Sequence, residues 1–135
     1  MNRLPSFLAA AARALLASLF LVSGLGKLAA PAATKAGIIS AGLPLPDLAY
    51  LIAVAVEVGL GLVLLLGYRT RAAAALLAAF TLATAFAFHA DFADPNQMTH
   101  FLKNLAISGG LLQVAAYGAG DFALDGLRSR RRRTT

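Results

Sequence analysis

The chain has 135 residues, of which 59% are hydrophobic and only 13% are charged. A soluble domain carries about 25% charged residues, so this composition excludes an ordinary water-soluble domain and predicts that most side chains face lipid. The net charge is +6 and there is no cysteine, which excludes disulfides, thiolate metal sites and thiol catalysis on this chain.

Four apolar stretches lie at about residues 7–26, 48–67, 72–88 and 101–120. Each is about as long as a helix needs to cross ~30 Å of hydrocarbon at about 1.5 Å per residue. The sequence therefore predicts an all-α protein, a transmembrane four-helix bundle that forms a single domain over residues 1–135.

The three connections between these stretches differ in kind. Residues 31–47 are rich in proline and glycine but contain Ile38 and Ile39, which predicts a short interfacial helix that ends at Gly42. Residues 68–71 form a tight link, which makes the second and third helices antiparallel neighbours. Residues 91–100 are polar and carry the turn signal Asp94-Pro95-Asn96.

The basic residues predict the orientation of the helices. Arg3, the pair Arg69 and Arg71, and the arginines of the tail at 121–135 all fall on one side of an even number of spans. Because cytoplasmic loops are enriched in Lys and Arg, both termini are predicted to be cytoplasmic. The basic tail fits a contact with anionic lipid headgroups better than nucleic-acid binding, for which no motif is present.

The N-terminal stretch has a competing interpretation as a cleaved signal peptide, since Arg3 and a hydrophobic segment precede an alanine-rich region. The length of the span and the charge of Arg13 within it favour a retained helix.

Ionisable residues inside a membrane cost roughly 2.5–3.5 kcal/mol each, so they face the interior and find partners. Arg13, Glu57 and Lys103 lie within the spans, and Lys27 and His89 lie at their outer ends. Glu57 is roughly 13 Å from the outer end of its helix, near the midplane. The sequence predicts that Arg13 from below or Lys103 from above pairs with Glu57. It also predicts a polar cluster in the outer half of the bundle, formed by Ser23, Lys27, Glu57, His89, Lys103 and Asn104, with Arg13 below it on the cytoplasmic side.

The alternative is that this cluster is purely structural. A buried ion pair of Glu57 can fix the register of the helices, and Lys27 and Lys103 can extend to the headgroups. For Lys27 that interpretation is preferred; for Glu57 a functional or pairing role is preferred; for Arg13 both stay open. His89, Asp91, Asp94 and His100 have side chains that suit zinc, but their spacing matches no helical ligand pair, so no metal site is predicted.

The arrangement of these residues resembles the DoxX family of bacterial membrane proteins. The resemblance rests on Arg13, the segment Ser23-Gly24-Leu25-Gly26-Lys27, Glu57 followed by Val58-Gly59-Leu60-Gly61, His89, and Lys103-Asn104 before Gly109-Gly110. It implies an inner-membrane four-helix bundle with Arg13, Lys27, Glu57, His89, Lys103 and Asn104 as the candidate site. Some members of the family are linked to thiosulfate–quinone oxidoreductase and to thiol-redox complexes.

Two classes of function follow from this resemblance and the polar cluster. In the first, the chain is a redox-associated subunit that binds quinone or another small molecule, with Glu57 and His89 as proton relays and Lys103 and Asn104 as hydrogen-bond donors to a carbonyl. In the second, it is a non-catalytic scaffold for membrane or redox protein partners. A small transporter working as a homo-oligomer is a weaker alternative, because no matching halves carry broken helices.

Overall fold

A computed structural model describes residues 4–133, without the side chains of residues 130, 132 and 133. All regular structure in this range is helical. The helices are α1 (Leu4–Ala29), α2 (Pro31–Ser40), α3 (Pro46–Leu66), α4 (Thr70–Phe88), α5 (Pro95–Tyr117) and α6 (Leu124–Arg133). The all-α prediction is confirmed, and the short helix expected between the first two spans is present as α2.

Three of these helices, α1, α3 and α4, are long and apolar enough to cross a membrane. The fourth predicted span corresponds to α5, which has 23 residues but is not among the three. Its first half carries Asn96, Gln97, His100, Lys103 and Asn104. These polar residues lower the apolar character of α5, although its length is sufficient for a span.

One hydrophobic core joins α1, α3, α4 and α5. Phe20, Leu64, Leu77 and Leu111, one from each of these helices, are buried against one another. Small buried residues such as Ala74 on α4 allow helix backbones to approach closely, which suits packing between helices in lipid. Many large apolar side chains on the opposite faces stay exposed, as expected where lipid is the solvent.

The turn between α3 and α4 is held by Asp125 on α6. Gly67 and Arg69 both have positive φ, of 69° and 44°. The left-handed backbone conformation is sterically unfavourable for Arg69, which has a Cβ atom, but not for glycine. The carboxylate of Asp125 accepts hydrogen bonds from the backbone N–H of Arg69 at 2.9 Å and from the N–H and hydroxyl of Thr70, both at 2.8 Å. Asp125 thus caps the N-terminus of α4 from a distant part of the chain.

This cap predicts a pH-dependent stability. Burial acts to raise the pKa of Asp125, but the hydrogen bonds from Thr70 and Arg69 and the charge of Arg128 outweigh it, so the pKa lies below its ordinary value. The cap therefore stabilises the fold above the ordinary carboxyl pKa of about 4, and this contribution is lost as the pH falls through the lowered value in the folded state.

Thermal unfolding in detergent between neutral and acid pH tests the cap. We expect Asp125→Asn to be less stable than wild type at pH 7, with the difference shrinking as the pH falls. Asp47→Asn is the control, because the carboxylate of Asp47 is 82% exposed and its loss should matter much less at pH 7. A difference for Asp125→Asn that stays constant with pH contradicts the assignment.

Candidate functional site

Three side chains from α1 and α3 form a hydrogen-bonded triad, which we call the Glu57 triad. The Lys27 ammonium donates to both oxygens of Glu57, at 2.8 Å to Oε2 and 3.0 Å to Oε1, and to the Ser23 hydroxyl at 2.8 Å. Ser23 in turn donates to Oε1 of Glu57 at 3.2 Å. Glu57 is only 6% exposed, so its charge is compensated by a specific partner rather than by water.

A π-helical turn at Ala55–Leu60 carries Glu57. A π turn inserts one residue into an α-helix, and such turns are frequent at functional sites. In this protein the turn lies in the middle of α3, where it faces α1 and brings the carboxylate to Lys27. The backbone irregularity and the buried acid thus coincide at one place in the helix.

Close approach of α1 to this turn depends on Gly24. A Cβ at Gly24 would lie 2.7 Å from Val58 Cγ2, 3.1 Å from Glu57 Cβ and 3.2 Å from the backbone nitrogen of Val58. The backbone and the β-carbon of Glu57 cannot rotate away, so any side chain larger than hydrogen pushes the two helices apart.

We expect Gly24→Ala to lower the free energy of unfolding by about 1–3 kcal/mol, the usual cost of overpacking a tight contact. Gly26→Ala, two residues further along α1, meets nothing within 4 Å and should be neutral or stabilising by up to about 1 kcal/mol. Unfolding of both variants in detergent checks the pair. Equal stabilities would show that α1 and the π turn are not in close contact.

A second polar group lies where α4 ends and α5 begins. The rings of His89 and His100 stack with their centroids 5.0 Å apart, and the Lys103 ammonium lies 3.1 Å from Nδ1 of His100. Burial first, and then the charges of His100 and Lys103, lower the pKa of His89 below its ordinary value. This shift favours the neutral form of the His89 ring.

A cavity of about 710 Å³ is lined by residues of both groups. Its wall includes Lys27 and Glu57 from α1 and α3, and His89, Lys103 and Asn104 from the region where α4 ends and α5 begins, while apolar residues make up most of the rest. Volume, apolar walls and a few convergent polar groups are the usual properties of a small-molecule site.

Arg13 lies elsewhere, close to the turn between α3 and α4. Its guanidinium donates to the carbonyl oxygens of Leu65 at 3.3 Å, Ala119 at 2.6 Å and Phe122 at 2.7 Å. Arg13 is 5% exposed, and it does not line the cavity.

The structure thus brings together five of the six predicted site residues: Lys27, Glu57, His89, Lys103 and Asn104. The prediction that Arg13 or Lys103 pairs with Glu57 is wrong, since Lys27 is the partner. The preferred interpretation of Lys27 as a residue that merely reaches the headgroups is wrong for the same reason.

Sequence reasoning did not place His100 in the site, although its position three residues before Lys103 on one helix was a usable signal. The two aspartates that were considered with it as metal ligands do not line the cavity. Asp91 accepts a hydrogen bond from the N–H of Ala93, and Asp94 caps α5 by accepting from the N–H of Asn96.

The fold and the cavity together define a class of protein: a small helical membrane protein with a mostly apolar cavity that also contains a few polar side chains. The chain belongs to the DoxX family, whose model matches residues 8–90. It is 37% identical over 123 residues to the inner membrane protein YqjF of Escherichia coli, which covers 89% of this chain and 91% of that protein.

A second relative from the same organism, the inner membrane protein YphA, is 36% identical over 120 residues, which covers 84% of this chain and 85% of that protein. No solved structure matches the chain significantly. The two relatives and the three apolar helices make this chain an inner membrane protein.

Proposed function

We propose that the chain is a redox-associated subunit of the inner membrane that binds quinone or another small molecule in the cavity. The observation that carries this proposal is the cavity itself, about 710 Å³ of mostly apolar space whose wall includes the Glu57 triad together with His89, Lys103 and Asn104. A ligand with an apolar body and a polar head matches both parts of the wall.

A bound quinone would supply two-electron, two-proton redox chemistry. In this proposal Lys103 and Asn104 donate hydrogen bonds to a carbonyl oxygen of the ligand, and His89 accepts or passes on a proton. Glu57 is the one carboxylate among the lining residues and is the second proton carrier that we propose. Because the chain has no cysteine, electrons from a thiol would come from a partner protein.

Binding of a short-chain ubiquinone to the protein in lipid nanodiscs tests this proposal, with empty nanodiscs subtracted. We expect Glu57→Gln and Lys103→Ala each to weaken binding about five- to tenfold, the usual effect of one lost hydrogen bond. Thr99→Val is the control, because its hydroxyl bonds to the carbonyl of Pro95 on its own helix and does not line the cavity. Unchanged affinity in both site variants contradicts the proposal.

We also propose that α5 is a fourth span and that both termini are cytoplasmic. With 23 residues, α5 is about 35 Å long, and Leu111 on it packs into the core shared with the other three long helices. Arg69 just before α4, Arg71 in its first turn, and Arg128 beyond α5 lie at one end of the helices. Because Lys and Arg are enriched in the cytoplasmic loops of membrane proteins, these arginines support a cytoplasmic location for that end.

Single-cysteine labelling tests this topology, because the chain has no cysteine of its own. We expect Ala93→Cys, between α4 and α5, to react with a membrane-impermeant maleimide in intact cells. Ser129→Cys on α6 should react only after the inner membrane is opened. Labelling of both positions in intact cells, or of neither, would show that α5 does not cross.

A further inference from the structure

The charges that line the cavity do not balance. The titratable residues in its wall are Lys27, Glu57, His89, His100 and Lys103, so the described wall contains a single acid. Glu57 already has its cation, since Lys27 contacts both carboxylate oxygens within 3.0 Å. This pair contributes no net charge to a ligand.

Lys103 contributes the charge that remains. It lies eight residues after Pro95, or about 12 Å along α5, and its described polar contact in the cavity is the ring of His100. An imidazole does not cancel the charge of an ammonium. Lys103 is exposed, and no carboxylate in the described wall supplies it with a counter-charge.

The two side chains next to Lys103, those of His100 and Asn104, each have a hydrogen-bond donor of their own. An ammonium can only donate, so Nδ1 of His100 is the acceptor, and the proton of the neutral ring is then on Nε2. The amide of Asn104 adds a further donor on the next residue of the helix. One uncompensated positive charge and several donors therefore face a mostly apolar space.

From this imbalance we infer that the cavity selects an amphiphile whose head carries one negative charge, held by Lys103 with His100 and Asn104, and whose body lies against the apolar wall. The inference rests on the proposed function, because it concerns the same cavity, and it narrows the class of ligand. Charge-assisted hydrogen bonds are about twice as strong as neutral ones, so the charge dominates selection between ligands of equal size.

Two naphthoquinones of similar size separate charge from shape. 2-Hydroxy-1,4-naphthoquinone is ionised at neutral pH, whereas 2-methyl-1,4-naphthoquinone is neutral. A third probe, dodecanoate, has the charge without the quinone ring. We expect wild-type protein in zwitterionic nanodiscs to bind the ionised naphthoquinone about tenfold more tightly than the neutral one.

The variants test whether Lys103 is the origin of this preference. Lys103→Met should abolish the preference, because it weakens both anionic probes about tenfold more than it weakens the neutral naphthoquinone, and Lys103→Arg should keep the preference because the charge is retained. Lys35→Met is the matched control: Lys35 pairs with Asp47 at 2.9 Å and does not line the cavity. All variants are compared at equal fractions of folded protein by gel filtration.

The outcomes distinguish this inference from the proposed function. If the neutral naphthoquinone binds as tightly as the ionised one, the inference is wrong and quinone binding stands. If dodecanoate binds through Lys103 while neither naphthoquinone does, the inference stands and quinone binding fails. If no probe binds, both are wrong.

Discussion

Lys27→Met is expected to lower the free energy of unfolding by about 3 kcal/mol. The substitution leaves the carboxylate of Glu57 buried with only the Ser23 hydroxyl as a donor, and removal of one partner of a buried ion pair costs about 3–5 kcal/mol. Because the side chain of Lys27 is 26% exposed, we expect the loss of stability to lie at the lower end of that range. Chemical unfolding in detergent measures it.

A double substitution separates the ion pair from simple packing. Lys27→Met combined with Glu57→Met removes both charges and should recover most of the lost stability, because the cost arises from the uncompensated charge. Lys35→Met is again the control, since the carboxylate of its partner Asp47 is 82% exposed and such pairs contribute only about 0–1 kcal/mol. Equal losses for Lys27→Met and Lys35→Met would show that the Glu57 triad is not a buried ion pair.

The positions of the long helices were predictable because apolar length is a direct physical requirement for crossing lipid. α1, α3 and α4 overlap the first three predicted stretches, with ends that differ by a few residues. α5 begins at Pro95, six residues before the predicted start at 101. The sequence contained that signal too, since Asp94 caps the helix and proline is favoured in its first turn.

The partner of Glu57 was not predictable for a geometric reason. Sequence gives the depth of a residue through the rise per residue, but it does not give the direction in which the side chain points around the axis. The π turn at Ala55–Leu60 adds one residue to the helix, which rotates everything beyond it by about 100°. Gly24 then sets how near α1 can come. Neither effect has a periodic signature in the sequence.

The environment of Arg13 depends on contacts between residues far apart in sequence. Its acceptors at Ala119 and Phe122 are more than 100 residues away and are backbone carbonyls, which any residue provides. A prediction that looks only for acidic side chains as partners of a buried arginine therefore misses these carbonyl acceptors. For this reason the sequence analysis paired Arg13 with Glu57.

Arg13→Met is expected to cost about 3–5 kcal/mol and to release the C-terminal segment. The guanidinium joins the end of α3, through Leu65, to the connection between α5 and α6, through Ala119 and Phe122. Loss of all three hydrogen bonds leaves the buried carbonyl oxygen of Ala119 and the part-buried carbonyl oxygens of Leu65 and Phe122 without this donor, and an unsatisfied buried acceptor costs about 1–3 kcal/mol. Unfolding in detergent gives the stability.

Trypsin cleavage after Arg128 on α6 reports the release of the C-terminal segment, and we expect it to be faster in Arg13→Met than in wild type. Arg13→Lys keeps the charge but lacks the planar fork that reaches three acceptors at once, so its stability and its cleavage rate should lie between those of wild type and Arg13→Met. Arg71→Met, at an exposed arginine, is the control and should cost less than about 1 kcal/mol. If Arg13→Lys matches wild type in both measurements, the charge of Arg13 matters rather than its three directed hydrogen bonds, because a single ammonium cannot replace them.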